Sequence, residues 1–161
     1  MSNMLTQTSK SKFFKTFNDE VAEAMTRAIV TGDTATMKKH LDKFSKKQIN
    51  APLQGSEYFM MRYACEAHQV EAVRMLLSYG CNPNNGVDGD YWPSIASAPP
   101  LFTAAESGDA EIVKMLIDAG ANPFHQISGR KAKTMAKGEE CTTLCREAEA
   151  KWLAKRQAAA A

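Results

Sequence analysis

Residues 105–123 read Ala105-Glu106-Ser107-Gly108-Asp109-Ala110-Glu111-Ile112-Val113-Lys114-Met115-Leu116-Ile117-Asp118-Ala119-Gly120-Ala121-Asn122-Pro123, and the segment forty residues earlier, Cys65 to Pro83, repeats them. Eight positions are identical: Glu66, Glu71, Val73, Met75, Leu76, Gly80, Asn82 and Pro83 match Glu106, Glu111, Val113, Met115, Leu116, Gly120, Asn122 and Pro123. Internal self-similarity of this kind marks a repeat architecture. Ile112, Val113, Leu116 and Ile117 form one apolar helical stripe. Gly120 follows where a left-handed cap excludes a Cβ, and Pro123 blocks continuation. Upstream, Leu101, Ala104 and Ala105 suit a short helix with small residues for close packing. Ser107-Gly108-Asp109 is the turn, with Asp109 expected to cap the second helix. A helix–turn–helix unit that is apolar on both sides must stack on others.

These residues resemble the ankyrin repeat. Pro99-Pro100-Leu101-Phe102-Thr103-Ala104-Ala105, the glycine turn, Glu111-Ile112-Val113 and Gly120-Ala121-Asn122 are similar to its pattern. In the second unit, Met60 replaces a proline and His68 the turn glycine. A weaker first copy is carried by Met25, Ala28, Ile29, Gly32-Asp33, Met37, Leu41 and Ile49-Asn50-Ala51. Its His40 replaces the usual leucine, and its lysines 38, 39, 43, 46 and 47 suit a polar-faced capping repeat. A degenerate fourth copy begins near Gly129, with a second helix expected from about Thr142 to Ala154 that buries Leu144, Cys145, Ala148, Trp152 and Leu153. The resemblance implies an all-α ankyrin-repeat solenoid with hairpin fingers. Its single domain spans 20–157, with repeats at about 20–53, 54–86, 98–127 and 128–155. Residues 1–19 are an N-terminal arm or helix, and 158–161 a fraying tail. Phe13, Phe14 and Phe17 either pack on the first repeat or belong to a basic arm that binds a partner or touches a membrane.

The 161 residues hold 20 Lys/Arg and 18 Asp/Glu, a net charge of +2 that hides a pattern. Residues 1–50 carry nine bases and five acids, 51–125 three and nine, and 126–161 eight and four. An acidic middle between basic ends argues against nucleic acid along the centre and for a basic partner there. The longest apolar run, Ile95–Ala105, is broken by Pro99-Pro100 and is shorter than the roughly 18 residues a span needs. With no apolar leader core, a cytoplasmic setting is expected. Cys65, Cys81, Cys141 and Cys145 suit no disulfide framework, and CxxxC without neighbouring histidines is a poor metal signature. Buried free thiols are expected, with no metal and no cofactor.

Catalytic motifs are missing from the chain: there is no nucleophile elbow, phosphate-cradling loop or His-Glu-x-x-His. Asn85–Asp90 has the flavour of a calcium loop but lacks its closing glutamate and reads as a turn. Asp88, Asp90, Glu106 and Asp109 show no spacing that demands a paired-carboxylate site. The informative departure is length. The offset of forty between repeats two and three exceeds the family's period of about 33, and the surplus forms a finger at 86–97. Asp88, Asp90, Tyr91 and Trp92 on that finger are candidate partner contacts, because aromatics at a loop tip are typical anchors.

The resemblance implies a non-enzymatic protein-binding module, a small inhibitor, adaptor or effector and in all expectation a monomer. Its binding positions carry onto Tyr63, Glu66 and Ala67 in repeat two and Thr103, Glu106 and Ser107 in repeat three, flanked by Tyr79 and the finger. Acids and aromatics dominate this set, so the expected partner has a basic, partly apolar surface. The alternative is a binder of nucleic acid or another anionic surface through Lys10–Lys15 and Arg130–Lys137.

Overall fold

The computed structural model describes residues 17–53, 59–85 and 98–160. Among them the order is α1 (Asp19–Thr31), α2 (Thr34–Leu41), α3 (Lys46–Ile49), α4 (Met60–Glu66), α5 (Val70–Ser78), α6 (Pro100–Ser107), α7 (Ala110–Asp118), β1 (Gln126–Ile127), β2 (Arg130–Lys131), α8 (Ala132–Met135) and α9 (Glu139–Ala160). The helices pair as α1–α2, α4–α5, α6–α7 and α8–α9, giving four repeats. First helices α1, α4, α6 and α8 stack in one layer, and second helices α2, α5, α7 and α9 in the other.

Each second helix follows its apolar period. Ala72, Val73 and Leu76 of α5 and Ile112, Val113 and Leu116 of α7 are fully buried at matching positions. Burying each Ile, Val or Leu contributes about 1.5–3 kcal/mol, so the stack rather than helix propensity holds these nine-residue helices. Met25 and Ile29 of α1 close the N-terminal end of the same core. Phe17 packs there too, its ring 4.8 Å from that of Phe44, while Phe13 and Phe14 lie outside the described residues.

Local signals set the ends. The Asn18 side chain accepts from the Val21 N–H at 2.8 Å and caps α1. Asp33 caps α2 through the Thr36 N–H at 3.0 Å. Ser45 and Gln48 form a reciprocal capping box around α3, a signal that the sequence carries in plain view and that the repeat pattern hides. At the turn between first and second helices the backbone is left-handed in all four repeats, with φ of 71° at Gly32, 56° at His68, 84° at Gly108 and 85° at Gly138. Three repeats place glycine there, and His68 alone takes this conformation with a Cβ.

Between repeats, two asparagines do equivalent work. Asn50 Nδ2 donates to the Gly80 carbonyl at 3.2 Å, and its Oδ1 accepts from the Asn82 N–H at 2.6 Å. Asn84 Nδ2 donates to the Gly120 carbonyl at 3.2 Å, and its Oδ1 accepts from the Asn122 N–H at 2.7 Å. Each amide satisfies both a donor and an acceptor of the next repeat's turn, groups that would otherwise be left without partners.

The C-terminal repeat departs from expectation in three ways. Ser128 and Gly129, both at positive φ, join β1 to β2 in a tight two-residue hairpin within an otherwise helical fold. The last helix is one 22-residue element, Glu139–Ala160, longer than the expected Thr142–Ala154 and helical through residues expected to fray. Along it Cys145 and Ala148 are buried, Leu144 and Trp152 half-buried, and Leu153 is 50% exposed rather than buried. Burial stops because the packing face passes beyond α7 and α8, the elements it rests on.

Candidate functional site

The equivalent left-handed turns align the last turn of each first helix across the solenoid. One row runs Val30, Glu66, Glu106, Ala136, and beside it runs Thr31, Ala67, Ser107, Lys137. Val30 is 46% exposed, Glu66 and Glu106 are exposed, and Ala67 and Ser107 are half-buried. Glu66 Oε1 accepts from Arg62 Nε at 2.8 Å, and the guanidinium itself is buried. Glu106 makes no ion pair among the described residues.

Other expected contacts lie elsewhere. Thr103, expected at the surface, is only 8% exposed and its hydroxyl donates to the Pro99 carbonyl at 3.4 Å, so it belongs to the interior. The cause is depth: every residue of α6 from Pro100 to Ala105 is buried. Tyr63 is half-buried against the core. Tyr79 sits at the end of α5, where its hydroxyl donates to Asp42 Oδ1 and accepts from Lys38 Nζ at 3.2 Å. Hydrogen bonds from Tyr79 and Lys38 hold the Asp42 carboxyl below its usual range, and the bonds to Asp42 and then Tyr79 hold the Lys38 ammonium above its own. Tyr79 therefore ties the second helices α2 and α5 together. Asp88, Asp90, Tyr91 and Trp92 lie outside the described residues.

Asp109 is also redirected. It makes no capping bond to α7; its Oδ2 lies 2.6 Å from Nδ1 of His68 in the preceding repeat. Arg74 makes a second cross-repeat link, from Nη2 to Glu111 Oε1 at 3.1 Å. Neither link was legible from spacing within one repeat, because each needs the register between two.

At the basic C-terminal end, Lys133 donates to Glu149 Oε2, and Lys131 Nζ lies 4.0 Å from Glu149 Oε1 and 4.8 Å from the Phe124 ring centroid. Two of the bases that an anionic ligand would need are thus turned toward an internal carboxylate. The four cysteines are free and buried. Burial pushes the Cys81 thiol up to about 12 and the Cys145 thiol up to about 11, and it raises Cys65 and Cys141 as well. Such thiols are poor nucleophiles. Among the described residues no cluster of three or more His, Cys, Asp or Glu is placed to hold a metal, and no helix is long and apolar enough to cross a membrane.

The sequence profile described as ankyrin repeats (3 copies) matches residues 25–127, which span the first three repeats. The chain belongs to the ankyrin-repeat family. Its fourth unit lies beyond the matched segment, in keeping with its degenerate sequence. The human ASB11 ankyrin repeat domain is similar in structure, with a TM-score of 0.63 at 21% identity over 77% of this chain and 52% of that one. The ankyrin repeat domain of Bcl-3, a member of the IkappaB protein family, is similar with a TM-score of 0.63 at 20% identity, over 76% of this chain and 50% of that one. The chain thus spans about half the length of these solved ankyrin domains, and the likeness is one of fold. No curated protein sequence matches it. Ankyrin repeats are protein–protein interaction modules.

Proposed function

We propose that this ankyrin protein is a non-enzymatic, cytoplasmic inhibitor, adaptor or effector that binds one partner protein of basic, partly apolar surface. The observation that carries this reading is the pair Glu66 and Glu106, exposed at the same position of adjacent repeats beside the exposed Val30. Packed helices lie about 8–10 Å apart, so a partner presenting bases at that interval meets both carboxylates at once. In the sequence the finger residues Asp88, Asp90, Tyr91 and Trp92 add further acidic and aromatic character. The nucleic-acid alternative is weakened by the engagement of Lys131 and Lys133 with Glu149.

The test is affinity capture with immobilised wild type and the Glu66→Lys/Glu106→Lys variant in parallel, read by mass spectrometry and then by binding kinetics on the recovered partner. The variant should keep its melting temperature and lose the partner mainly through slower association. Equal capture by both proteins rejects this surface. Recovery of nucleic acid in place of protein rejects the reading itself.

A further inference from the structure

Helix α9 is 22 residues long and so about 33 Å from end to end, but only its first half has something to pack against. Cys141, Cys145, Ala148 and Glu149, at i, i+4, i+7 and i+8, are its buried residues, set against α7 and α8. The same face then continues through Trp152, which is half-buried, and Arg156, which is exposed. Leu153, four residues past Glu149, is 50% exposed, and it and Val30 are the exposed large hydrophobics among the described residues. Past Glu149 the chain contains Lys151, Lys155 and Arg156 and no acid. All three bases are exposed, and none enters an ion pair among the described residues. The neighbouring second helices differ: the base of α5, Arg74, is paired with Glu71 and Glu111, and the base of α7, Lys114, with Asp118.

The geometry points to the outer half of α9, residues 150–160, as a second docking surface that takes an acidic protein segment. Trp152 has Lys155 at i+3 and Arg156 at i+4, so an apolar centre has two positive charges one turn along the same face. A partner helix or strand with an apolar residue between carboxylates meets Trp152 and Leu153 with the first and the three bases with the second. A second copy of α9 is a poor occupant, because three bases would face three bases. A bilayer is a poor one as well: Trp152 is already half-covered by the domain, which leaves little apolar surface to insert. This surface is independent of the acidic row and attracts a partner of opposite charge.

The test uses the full chain and a fluorescently labelled amphipathic peptide with leucines along one face and flanking glutamates, its lysine-for-glutamate counterpart, and phosphatidylserine/phosphatidylcholine vesicles. Wild type should raise the anisotropy of the glutamate peptide and leave the lysine peptide unchanged. The triple variant Lys151→Glu/Lys155→Glu/Arg156→Glu should bind about tenfold more weakly or worse. Leu153→Ser should weaken binding several-fold, and neither variant should shift the melting temperature. No binding of the glutamate peptide, equal binding by the triple variant, or tighter binding to vesicles than to peptide overturns the inference. Self-association of wild type that the triple variant abolishes also overturns it, since the occupant would then be a second copy.

Discussion

His68 Nδ1 and Asp109 Oδ2 lie 2.6 Å apart, across the boundary between the second and third repeats. Both residues depart from the role their position assigns: His68 occupies a left-handed turn that glycine fills in the other repeats, and Asp109 forgoes capping its own helix. The two departures belong together, since a Cβ at the turn is what carries an imidazole to the next repeat's carboxylate. His68→Ala keeps the backbone cost and loses the bond, whereas His68→Gly loses both. Urea denaturation should therefore find His68→Ala less stable than His68→Gly by about 1 kcal/mol. Equal stabilities would mean that the left-handed backbone costs nothing here.

Asn84 bonds to the next repeat through both ends of its amide, so its loss leaves the Asn122 N–H and the Gly120 carbonyl short of partners. Asn84→Ala should cost about 1–3 kcal/mol in denaturant unfolding. Asn84→Asp, which keeps the acceptor for Asn122 and loses the donor to Gly120, should differ from wild type chiefly in the protection of the third repeat's turn against amide hydrogen exchange. Unchanged stability in Asn84→Ala would show that solvent replaces the amide at no cost.

Glu149 is 8% exposed and holds Lys133 and Lys131 between the fourth repeat's two helices. Removing the carboxylate strands two ammonium groups that now lean on it. Glu149→Ala should destabilise by up to about 3 kcal/mol, and Glu149→Gln by less, because the amide still accepts a hydrogen bond. Thermal melting checks the order; a Glu149→Ala protein as stable as wild type would show that the bases swing into water without loss.

The thiols predict a pH dependence of definite sign. Cys81 at about 12 and Cys145 at about 11 hold their protons more tightly in the folded chain than at the ordinary 9.0. The stability they contribute is complete below pH 9 and is lost as the pH rises from there through 11 and 12, because the unfolded state ionises first. Denaturation midpoints should fall steadily above pH 9, and less steeply in a Cys81→Ala/Cys145→Ala variant. Alkylation at pH 8 should be slow in the folded protein and fast in denaturant. Rapid modification of folded protein would show that these thiols reach solvent.

In the two central repeats the repeat pattern, the buried stripe of each second helix and its glycine end were legible in the sequence because each is decided locally. Ile112, Val113 and Leu116 sit on one face whatever surrounds them, and Gly120 ends the helix for want of a Cβ. The family followed from the same residues, since a unit that is apolar on both faces has to stack. What the tertiary structure alone decided lies between units. Thr103 looks polar and available in the string, yet it sinks below the surface because α6 is covered by its neighbours from Pro100 through Ala105. Asp109 reads as a cap until His68 of another repeat competes for it, and Leu153 reads as core until α9 outruns the helices beneath it. For Asp109 the local capping preference is worth about 1 kcal/mol, and a contact from a different repeat, whose register no single repeat encodes, outweighs it. For Leu153, no further repeat among the described residues stands beside it, and that leaves the side chain in water.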